Sequence, residues 1–560
     1  MQNELFQDLK TQLEYFYHWE KTTPNAIYLR QPEGGKWIAI TWQQAGAEAR
    51  RIATALKGLG LKKGDHVATL SKNCYHLHLA DLAIMMAGLV SVPFYYNLGA
   101  SDFEVVLKKS DAKALFVGKL DEWADRKKVV PADMPIIKFP KYQTGVGIKE
   151  GLDWATLLQE NEPMQGTPLP DLTDFWTILF TSGTTGTPKG VVHDFRNAAL
   201  VMRNEYLNDD FSFASNPKII GLSFLPFNHV GDRVYTQLFG LMKGSTTAFA
   251  DTLDTFAQNL QDTQPTFFGA VPRIWTKFQS GVLVKMPQKK LDTLLKIPII
   301  SGIVKKKIKK GLGLNRVKAF TTGGSITPEN KKAWFRKLGI RLREMYGMTE
   351  VLGGTTYTPK NDDESGTVGK PISNAKFKID AKTGEILMQC PWMMKGYYKE
   401  PQKTAEVLKD DWLYSGDKGM ITEKGFVKVI GRVKDAFKTT KGKYIVPSVL
   451  EDYFESELIE QICVAGLGIP QPVALVNLSE SGKQKNKRAV VTSLEKELSN
   501  INQQLPNYQK ISTIIIVKEE WSVDNKILTP SMKIKRGEVD EIYGNRLGEW
   551  HEDQQVVIWE

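Results

Sequence analysis

Helical and strand patterns alternate over residues 41–117, and this alternation limits the possible folds more than any other feature of the chain. Residues 45–59 place apolar side chains at helical spacing, and residues 65–70 form a short strand pattern after a Gly-Asp turn. A second helix is predicted over 79–88 and a second strand over 89–94. Strands that alternate with helices predict an α/β protein built in layers.

The chain has 560 residues, more than one hydrophobic core usually serves, so several domains are expected. Short strand patterns separated by turns over 384–430 predict a small antiparallel or barrel-like patch. Mixed strands and helices return after Gly431. We therefore predict a large N-terminal part over 1–432, with several subdomains, and a small α+β C-terminal domain over 433–560.

The cysteine content and the targeting signals indicate the cellular compartment of the protein. Three widely separated cysteines, Cys74, Cys390 and Cys463, argue against a disulfide scaffold or a zinc site and fit a reducing compartment. The N-terminus shows no apolar signal region. The most apolar stretch, residues 82–90, is shorter than the roughly 20 residues that span a bilayer. A cytoplasmic protein is predicted, with membrane contact at most peripheral and without a nucleic-acid partner.

Residues 181–190 read TSGTTGTPKG and directly follow the strand pattern WTILF. Glycines allow a backbone to approach a ligand closely, and successive N–H groups, hydroxyls and Lys189 offer positive potential to an anion. Lys189 is followed by Gly190 and a strand-like VVH, whereas an NTPase phosphate loop continues with Ser or Thr into a helix. The segment is therefore predicted to hold phosphate groups, but it is not an NTPase phosphate loop. A flexible surface loop is the alternative when the segment is taken alone.

Further motifs follow the loop in a fixed order, and together with it they resemble the adenylate-forming superfamily of acyl-CoA synthetases, luciferases and adenylation domains. The motifs are GGS at 323–325, MYGMTE at 345–350, YSGD at 414–417, GRVKD at 431–435, KGKYIVPSVLE at 441–451 and LTPSMKIKR at 528–536. The resemblance covers nearly the whole chain. It implies a large N-terminal AMP-binding part and a mobile C-terminal domain that carries a catalytic lysine.

The resemblance also implies roles in holding ATP and Mg²⁺. Glu350 would bind Mg²⁺ with help from Thr181, and Thr349 would contact the α-phosphate. Tyr346 and Gly347 would pack at the adenine. The β- and γ-phosphates would lie against Thr181, Ser182, Gly183, Thr184, Thr185, Gly186 and Lys189, and the edge of the adenine against Gly323, Gly324 and Ser325.

The remaining implied roles belong to the later motifs. Asp417 would accept hydrogen bonds from the ribose hydroxyls, assisted by Arg432. Lys434 stands at the family's hinge position, and Gly442 would leave room for the pantetheine arm of coenzyme A. Lys533 is the predicted catalytic lysine, although Met532 stands where the family pattern often has glycine. Lys535 is the competing candidate.

A separate segment, GLSFLPFNHVGDRV at 221–234, resembles the substrate-side motif of long-chain fatty acid–CoA ligases. His229 would lie near the acyl carboxylate, and Asp232 and Arg233 match an acidic-Arg pair of that motif. Three aromatic side chains are candidates either for the lining of an acyl tunnel or for plain core: Phe224, Phe227 and Trp275.

We therefore predict a ligase that uses ATP, Mg²⁺ and coenzyme A to activate a medium- to long-chain fatty acid. Acyl transfer to a carrier protein, and a non-catalytic lipid or nucleotide binder of the same fold, are the alternatives. The run VKKKIKK at 304–310 fits either an anionic membrane surface or a solvated face. The sequence leaves the oligomeric state open.

Overall fold

The computed structural model describes residues 2–181, 187–553 and 555–560. The described chain forms two compact units. The first contains residues 2–181, 187–376 and 389–413, and the second contains residues 377–388 together with the described part of 414–560. The mixed α/β fold predicted from the alternating patterns is confirmed.

An eight-stranded sheet forms the centre of the first unit. Six neighbouring strands run parallel, and the two strands at one edge are antiparallel to their neighbours. Its strands, in spatial order, are Gly396–Tyr397, Lys189–Asp194, Phe175–Thr181, Val90–Phe94, His66–Leu70, Ala112–Val117, Ile136–Lys138 and Leu152–Asp153. The predicted strands over 65–70 and 89–94 are therefore adjacent members of this sheet, both fully buried.

Two smaller sheets lie entirely within the first unit. One has the order Ile220–Ser223, Thr246–Phe249, Ile27–Glu33 and Lys36–Thr41. The other has the order Phe267–Ala270, Ala319–Gly323, Leu342–Met348, Gly353–Tyr357 and Lys370–Pro371. The first three strands of the latter sheet are parallel, so their carboxyl ends meet at one edge.

The helices of the first unit follow local signals that the sequence carries. The helix predicted over 45–59 spans Trp42–Gly58, because Thr41 caps it and exchanges hydrogen bonds with Gln44 in a capping box. The other α-helices are Gln2–Leu5, Gln12–Thr22, Tyr75–Met86, Ala100–Ser110, Ala124–Lys128, Trp154–Glu160, Phe195–Asn208, Phe239–Lys243, Phe256–Thr263, Pro272–Lys285, Gln288–Leu295, Pro298–Gly311, Glu329–Lys337 and Pro401–Val407. A π-helix spans Asp232–Leu238 and a 3₁₀ turn spans Thr349–Val351.

The predicted small β patch is a sheet that lies mostly in the second unit. Its strands are Lys376–Ile379, Glu385–Gln389, Trp412–Ile421, Leu408–Lys409 and Val427–Arg432. The rest of the unit is α+β, as predicted. It contains the strand pair Phe437–Lys438 and Tyr444–Ile445, and a sheet of Ile459–Ala465, Val473–Leu478, Ile514–Ile516 and Val557–Trp559. Its helices are Pro447–Glu451, Glu480–Lys483, Lys487–Gln504, Arg536–Tyr543 and Leu547–Glu552, with a 3₁₀ turn over Gly544–Arg546.

Among the described residues, no helix is both long and apolar enough to cross a membrane.

Candidate active site

The predicted phosphate loop joins two antiparallel strands. Thr181 ends the strand Phe175–Thr181 and lies directly opposite Lys189, which begins the returning strand. The Thr181 hydroxyl lies 3.5 Å from the Lys189 carbonyl oxygen, which accepts its hydrogen bond. The strands on both sides of the predicted loop therefore lie where the sequence predicted them, and no helix begins at Lys189. The predicted loop residues Ser182, Gly183, Thr184, Thr185 and Gly186 lie outside the described residues.

Lys189 and Glu350 contact the same tyrosine. The Lys189 ammonium lies 4.9 Å from the centroid of the Tyr397 ring, within range of a cation–π interaction. The Tyr397 hydroxyl donates a 2.8 Å hydrogen bond to Glu350 Oε1. Burial, and then the Glu350 carboxylate, raise the pKa of Tyr397, so the phenol keeps its proton and remains a donor. The structure thus links the phosphate-loop lysine to the predicted magnesium ligand through one side chain.

His193 ties the strand of Lys189 to the turn that carries Thr349 and Glu350. Its Nε2 lies 2.8 Å from the Thr349 carbonyl oxygen, and its Nδ1 lies 3.1 Å from Asn197 Nδ2. Since a carbonyl only accepts, Nε2 carries the proton and Nδ1 accepts from Asn197. Complete burial lowers the pKa of His193 to about 4, so the ring is neutral at pH 7. The backbone position of Thr349 is therefore fixed by a hydrogen-bonded chain within the first unit.

Neither Tyr397 nor His193 was predicted from the sequence. Tyr397 lies in a two-residue strand that pairs with Val191–Val192 from a segment about two hundred residues earlier in the chain. Such long-range pairing leaves no local signal. His193 was visible as the histidine of VVH, but only its partner Thr349, again distant in sequence, reveals what it does.

The predicted adenine motifs meet at the carboxyl ends of two parallel strands. Gly323 ends one strand and is paired with Met345, which precedes Tyr346 on the next. A Cβ at Gly323 would lie 2.6 Å from Met345 Cγ, and one at Gly347 would lie 1.7 Å from the Gly353 carbonyl oxygen. Both positions therefore need glycine. Gly324, with φ +83°, and the exposed Ser325 follow directly, so the structure brings these residues together at an edge where α/β sheets commonly bind ligands.

The substrate-side motif divides into one accessible residue and two interior ones. His229 is half-buried in a turn, and its Nδ1 accepts a 3.0 Å hydrogen bond from the Gly231 amide. Asp232 is buried and accepts a 3.1 Å hydrogen bond from Ser223 Oγ. Burial raises the pKa of Asp232 to about 7, against the opposing effect of the Ser223 hydroxyl. Asp232 therefore belongs to the packing of its π-helix, and only His229 keeps partial access to solvent.

Arg233 is completely buried and faces a neighbouring helix. It donates 2.7 Å hydrogen bonds through Nη1 to Asp81 Oδ2 and to Gln237 Oε1. Its guanidinium lies between the rings of Trp176 and Phe227, at 4.5 and 4.6 Å from their centroids. The acidic-Arg pair of the motif thus forms interior structure.

The three aromatic tunnel candidates are also mostly core. Trp275 is completely buried, and its indole N–H donates to the Thr321 carbonyl at 3.2 Å. Phe227 is buried against Arg233. Only Phe224 is half-buried, with its ring stacked 5.6 Å from that of Phe268. Trp275 and Phe227 therefore lie among the buried residues of the first unit.

In the second unit, Asp417 and Arg432 face each other across two antiparallel strands. Arg432 Nε donates to Asp417 Oδ1 at 2.9 Å, and the two residues are directly paired in register. Ser415 supports the pair, since its hydroxyl accepts from the Asp417 amide and its carbonyl oxygen accepts from Arg432. A buried carboxylate held in this way suits hydrogen bonds from vicinal hydroxyl groups.

Lys533 lies in a tight turn, and its ammonium group interacts electrostatically with Asp417 and Arg432. The Lys533 amide donates 3.0 Å to Thr529 Oγ1, and its carbonyl oxygen accepts from the Thr529 amide at 2.7 Å. The residue as a whole is exposed, yet protein atoms around the ammonium remove water and lower its pKa. Repulsion by Arg432 lowers the pKa further, and attraction to Asp417 opposes both effects. The structure therefore brings Lys533, Asp417 and Arg432 into one electrostatic group.

The turn of Lys533 is shaped without a glycine and is anchored by its neighbour Arg536. Met532, at the position where the resembling motif often has glycine, adopts a left-handed backbone with φ +65°. The Arg536 guanidinium donates to Glu451 at 2.5 Å and lies 3.2 Å from Asp435. The competing Lys535 is half-buried and directly precedes the helix Arg536–Tyr543.

Two further predicted residues lie elsewhere in the second unit. Lys434 is exposed, two residues beyond Arg432. Gly442 lies in the turn between the strands Phe437–Lys438 and Tyr444–Ile445, with φ +77°, and an added Cβ would meet only Lys438 Cε, at 4.0 Å. The turn therefore requires glycine for its backbone shape, while leaving room beside it.

The donor set fits Mg²⁺ delivered with ATP. Magnesium in such sites usually binds one or two carboxylates, substrate phosphates and water. Glu350 offers one buried carboxylate, oriented by Tyr397, and Thr181 offers a hydroxyl. Within the described part of the chain, no group of three His, Cys, Asp or Glu side chains forms a metal site.

The fold and these motifs define the class of protein: it has the mixed α/β fold of adenylate-forming enzymes, with a large N-terminal and a smaller C-terminal part. The sequence profile of the AMP-binding enzyme family matches residues 16–398, and that of the AMP-binding enzyme C-terminal domain matches residues 434–555. The chain belongs to the AMP-binding enzyme family.

Relatives over the full length include fatty acid ligases. The chain is 28% identical to the long-chain-fatty-acid–CoA ligase FadD15 of Mycobacterium bovis, over 94% of each chain. It is 29% identical to fatty acyl-CoA synthetase A of Dictyostelium discoideum, over 91% of this chain and 85% of that one. Rat long-chain-fatty-acid–CoA ligase 5 is 27% identical over 98% and 89% of the two chains.

Solved structures share the fold at lower identity. The adenylation domain of a carboxylate reductase from Mycobacterium chelonae superposes with a TM-score of 0.80 at 20% identity, covering 97% of this chain and 92% of that one. The anthranilate CoA ligase AuaEII, solved with anthranoyl-AMP, gives 0.77 at 18% identity, covering 96% and 98%. At these identities the likeness establishes the fold alone.

Proposed function

We propose that the protein is an ATP-dependent ligase that activates a medium- to long-chain fatty acid as acyl-AMP and transfers the acyl group to coenzyme A. The observation that carries the proposal is the connection of Lys189 to Glu350 through Tyr397, which joins the lysine proposed to bind phosphate to the carboxylate proposed to bind Mg²⁺. Two relatives named long-chain-fatty-acid–CoA ligases, which align with 94% and 98% of this chain, and a third named fatty acyl-CoA synthetase support the substrate class. A cytoplasmic location is part of the proposal.

The first half-reaction must bring two anions together. In it, a carboxylate oxygen bonds to the α-phosphorus of ATP while the bond to pyrophosphate breaks. Unit charges about 4 Å apart repel by roughly 1 kcal/mol in water and roughly 4 kcal/mol in a partly desolvated site. Lys189 and the loop hydroxyls would offset this repulsion at the β- and γ-phosphates, and Thr349 would contact the α-phosphate. Mg²⁺, held by Glu350 and Thr181, would neutralise phosphate charge.

The remaining site residues would position the nucleotide and the acid. Gly323, Gly324, Ser325, Tyr346 and Gly347 would hold the adenine, since their glycines keep the backbone open to a flat ring. Asp417 and Arg432 would hold the ribose. His229 would lie near the acyl carboxylate. Lys533, a flexible cation already in the field of Asp417, would stabilise the charge that develops between carboxylate and phosphate.

The second half-reaction needs different surroundings. The thiol sulfur of coenzyme A bonds to the acyl carbon, the acyl–oxygen bond to AMP breaks, and the thiol proton leaves to solvent. We propose that residues 433–560 turn about Lys434 between the two steps, because hinges of this kind absorb large changes of backbone angle. Gly442 would then flank the pantetheine arm.

Pyrophosphate release by the purified protein with ATP, Mg²⁺ and palmitate, with and without coenzyme A, tests the proposal. Palmitoyl-CoA and AMP are the expected products. Acyl-AMP that accumulates regardless of coenzyme A would replace this proposal with the carrier-protein alternative. If no acid of a chain-length panel releases pyrophosphate, either the substrate class is wrong or the protein only binds its ligands.

A further inference from the structure

The helix Pro298–Gly311 leaves one face uncovered. Its inner face carries the buried Ser301 and Val304, and Val304 and Ile308 pack into the same hydrophobic cluster as Phe278 and Val282. The opposite face carries large apolar side chains that are exposed to solvent: Ile299 is 80% exposed and Ile303 is 62% exposed. Isoleucines exposed to this degree side by side are unusual on a helix that otherwise packs well.

The exposed face changes character along the helix. Ile299, Ile303, Lys306 and Lys310 follow one another at spacings of four, three and four residues, which places them on one stripe. The first half of the stripe is therefore apolar and the second half is basic. Lys305 and Lys309 lie beside it and are half-buried.

The sequence segment around this stripe contains basic residues but no acidic ones. Residues 293–328 contain eight basic residues and no Asp or Glu. None of the five lysines of the helix forms an ion pair with any residue in the described ranges. The lysines are thus available for an anionic partner, directly beside exposed isoleucines.

We propose that this stripe docks the protein on an anionic lipid bilayer. A bilayer surface satisfies both halves at once, since isoleucines enter the boundary between headgroups and acyl chains while lysines meet the lipid phosphates. Charge complementarity and the exposed isoleucines together favour this occupant. The inference goes beyond the proposed activity, because it holds whichever acid the protein activates.

Co-sedimentation of the full chain with vesicles, without substrates, tests the docking surface. Wild-type protein is expected to bind phosphatidylcholine vesicles containing phosphatidylglycerol and to bind pure phosphatidylcholine weakly. Lys306→Gln with Lys310→Gln should weaken binding to the anionic vesicles by about twenty-five-fold, at roughly fivefold per basic residue. The matched control, Lys305→Gln with Lys309→Gln, removes the same charge from the side of the stripe and should have a clearly smaller effect.

The isoleucines give an independent measurement. Ile299→Ser with Ile303→Ser should weaken vesicle binding about tenfold or more, while net charge stays constant. Ile38→Ser with Ile542→Ser, at other exposed positions, is the control. Equal loss in both lysine variants, unchanged binding of the isoleucine variant, or no vesicle binding by wild-type protein would overturn the proposal. Pyrophosphate release with palmitate is measured on the same samples. It shows whether the proposed ligase activity holds independently of whether the protein binds vesicles.

Discussion

At the residue scale, Arg233 shows how burial decides the role of a charged side chain. Its partner Asp81 also accepts hydrogen bonds from Gln237 Nε2 and from Ser91 Oγ, both at 2.6 Å. The pair therefore lies inside a small polar network in an otherwise aromatic interior. Such a pair adds little net stability over an apolar replacement, but loss of one partner leaves the other charge unsatisfied.

We therefore expect Arg233→Met to destabilise the first unit by about 3–5 kcal/mol, because Asp81 would remain buried and unpaired. The apparent melting temperature measured by calorimetry should fall by several degrees. Adding Asp81→Asn to this variant should restore part of the loss. Lys128→Met is the control, since its ion pair with Asp125 is exposed to solvent and contributes little to stability. If the double variant were as unstable as the single one, the ion pair would not be the cause.

A second residue-scale prediction concerns the Tyr397 hydroxyl. Tyr397→Phe keeps the ring beneath Lys189 but removes the donor to Glu350, whose carboxylate then loses its fixed orientation. A hydrogen bond to a charged group contributes about 1.5–3 kcal/mol, so kcat/KM for MgATP should fall about tenfold to a hundredfold. Tyr398→Phe, which removes a 2.7 Å hydrogen bond to Asp111, is the matched control. Equal effects of the two changes would argue against a role for Tyr397 at Glu350.

At the scale of elements, local signals were predictable and long-range partners were not. The helix Trp42–Gly58 was predictable because Thr41 and Gln44 form its cap within four residues. The strand Gly396–Tyr397 was not, because two residues acquire strand geometry only by pairing with Val191–Val192. The motif around His229 was recognised, but the burial of its Arg233 was not predictable, because the ion-pair partner Asp81 lies on a helix distant in sequence.

The link between the strand Lys189–Asp194 and the turn Thr349–Val351 predicts a pH effect. A histidine of the unfolded chain titrates near 6.5, whereas burial lowers the pKa of His193 to about 4. Between these values the unfolded chain binds a proton that the folded chain does not. The contribution of His193 to stability is therefore complete above about pH 6.5 and is lost as pH falls towards about 4.

His193→Gln should flatten this dependence while its amide still donates to the Thr349 carbonyl. The difference in apparent melting temperature between about pH 5 and pH 7 should be smaller in the variant than in the wild type. Asp232 and Glu205, whose pKa values burial raises to about 7 and about 8, act in the opposite direction but are common to both proteins. An identical pH profile of the two proteins would mean that His193 is not held neutral by the fold.

At the scale of the whole molecule, the structure divides the chain into two compact units, and the order of the sequence motifs alone does not show where the second unit begins. The contact-defined second unit begins at residue 377 and includes Asp417 and Arg432 along with Lys533. The sequence predicted a boundary at 432, where the mixed pattern returns. Sequence patterns show where elements change type, whereas compactness depends on contacts between strands such as Trp412–Ile421 and Val427–Arg432. The hinge at Lys434 thus stays a prediction.

Two variants of the second unit should separate the two half-reactions. Lys533→Ala should slow acyl-AMP formation from ATP and palmitate by about 10²–10³, as loss of one charge-stabilising group does, while thioester formation from supplied palmitoyl-AMP persists. Gly442→Leu should show the reverse, because its side chain would occupy the path proposed for pantetheine. Gly442→Ala controls for backbone strain, since both substitutions impose a side chain at φ +77° and differ only in bulk.

The outcome decides whether one site serves both steps in alternating arrangements. Opposite defects in the two variants, measured as pyrophosphate release and as coenzyme A-dependent thioester formation, would support a C-terminal domain that presents Lys533 and Gly442 in turn. If Lys533→Ala lost both half-reactions equally, the lysine would contribute to ligand binding rather than specifically to the adenylation step. If Gly442→Leu matched Gly442→Ala in thioester formation, the open space beside Gly442 would not be the pantetheine path, and the acceptor would have to enter elsewhere.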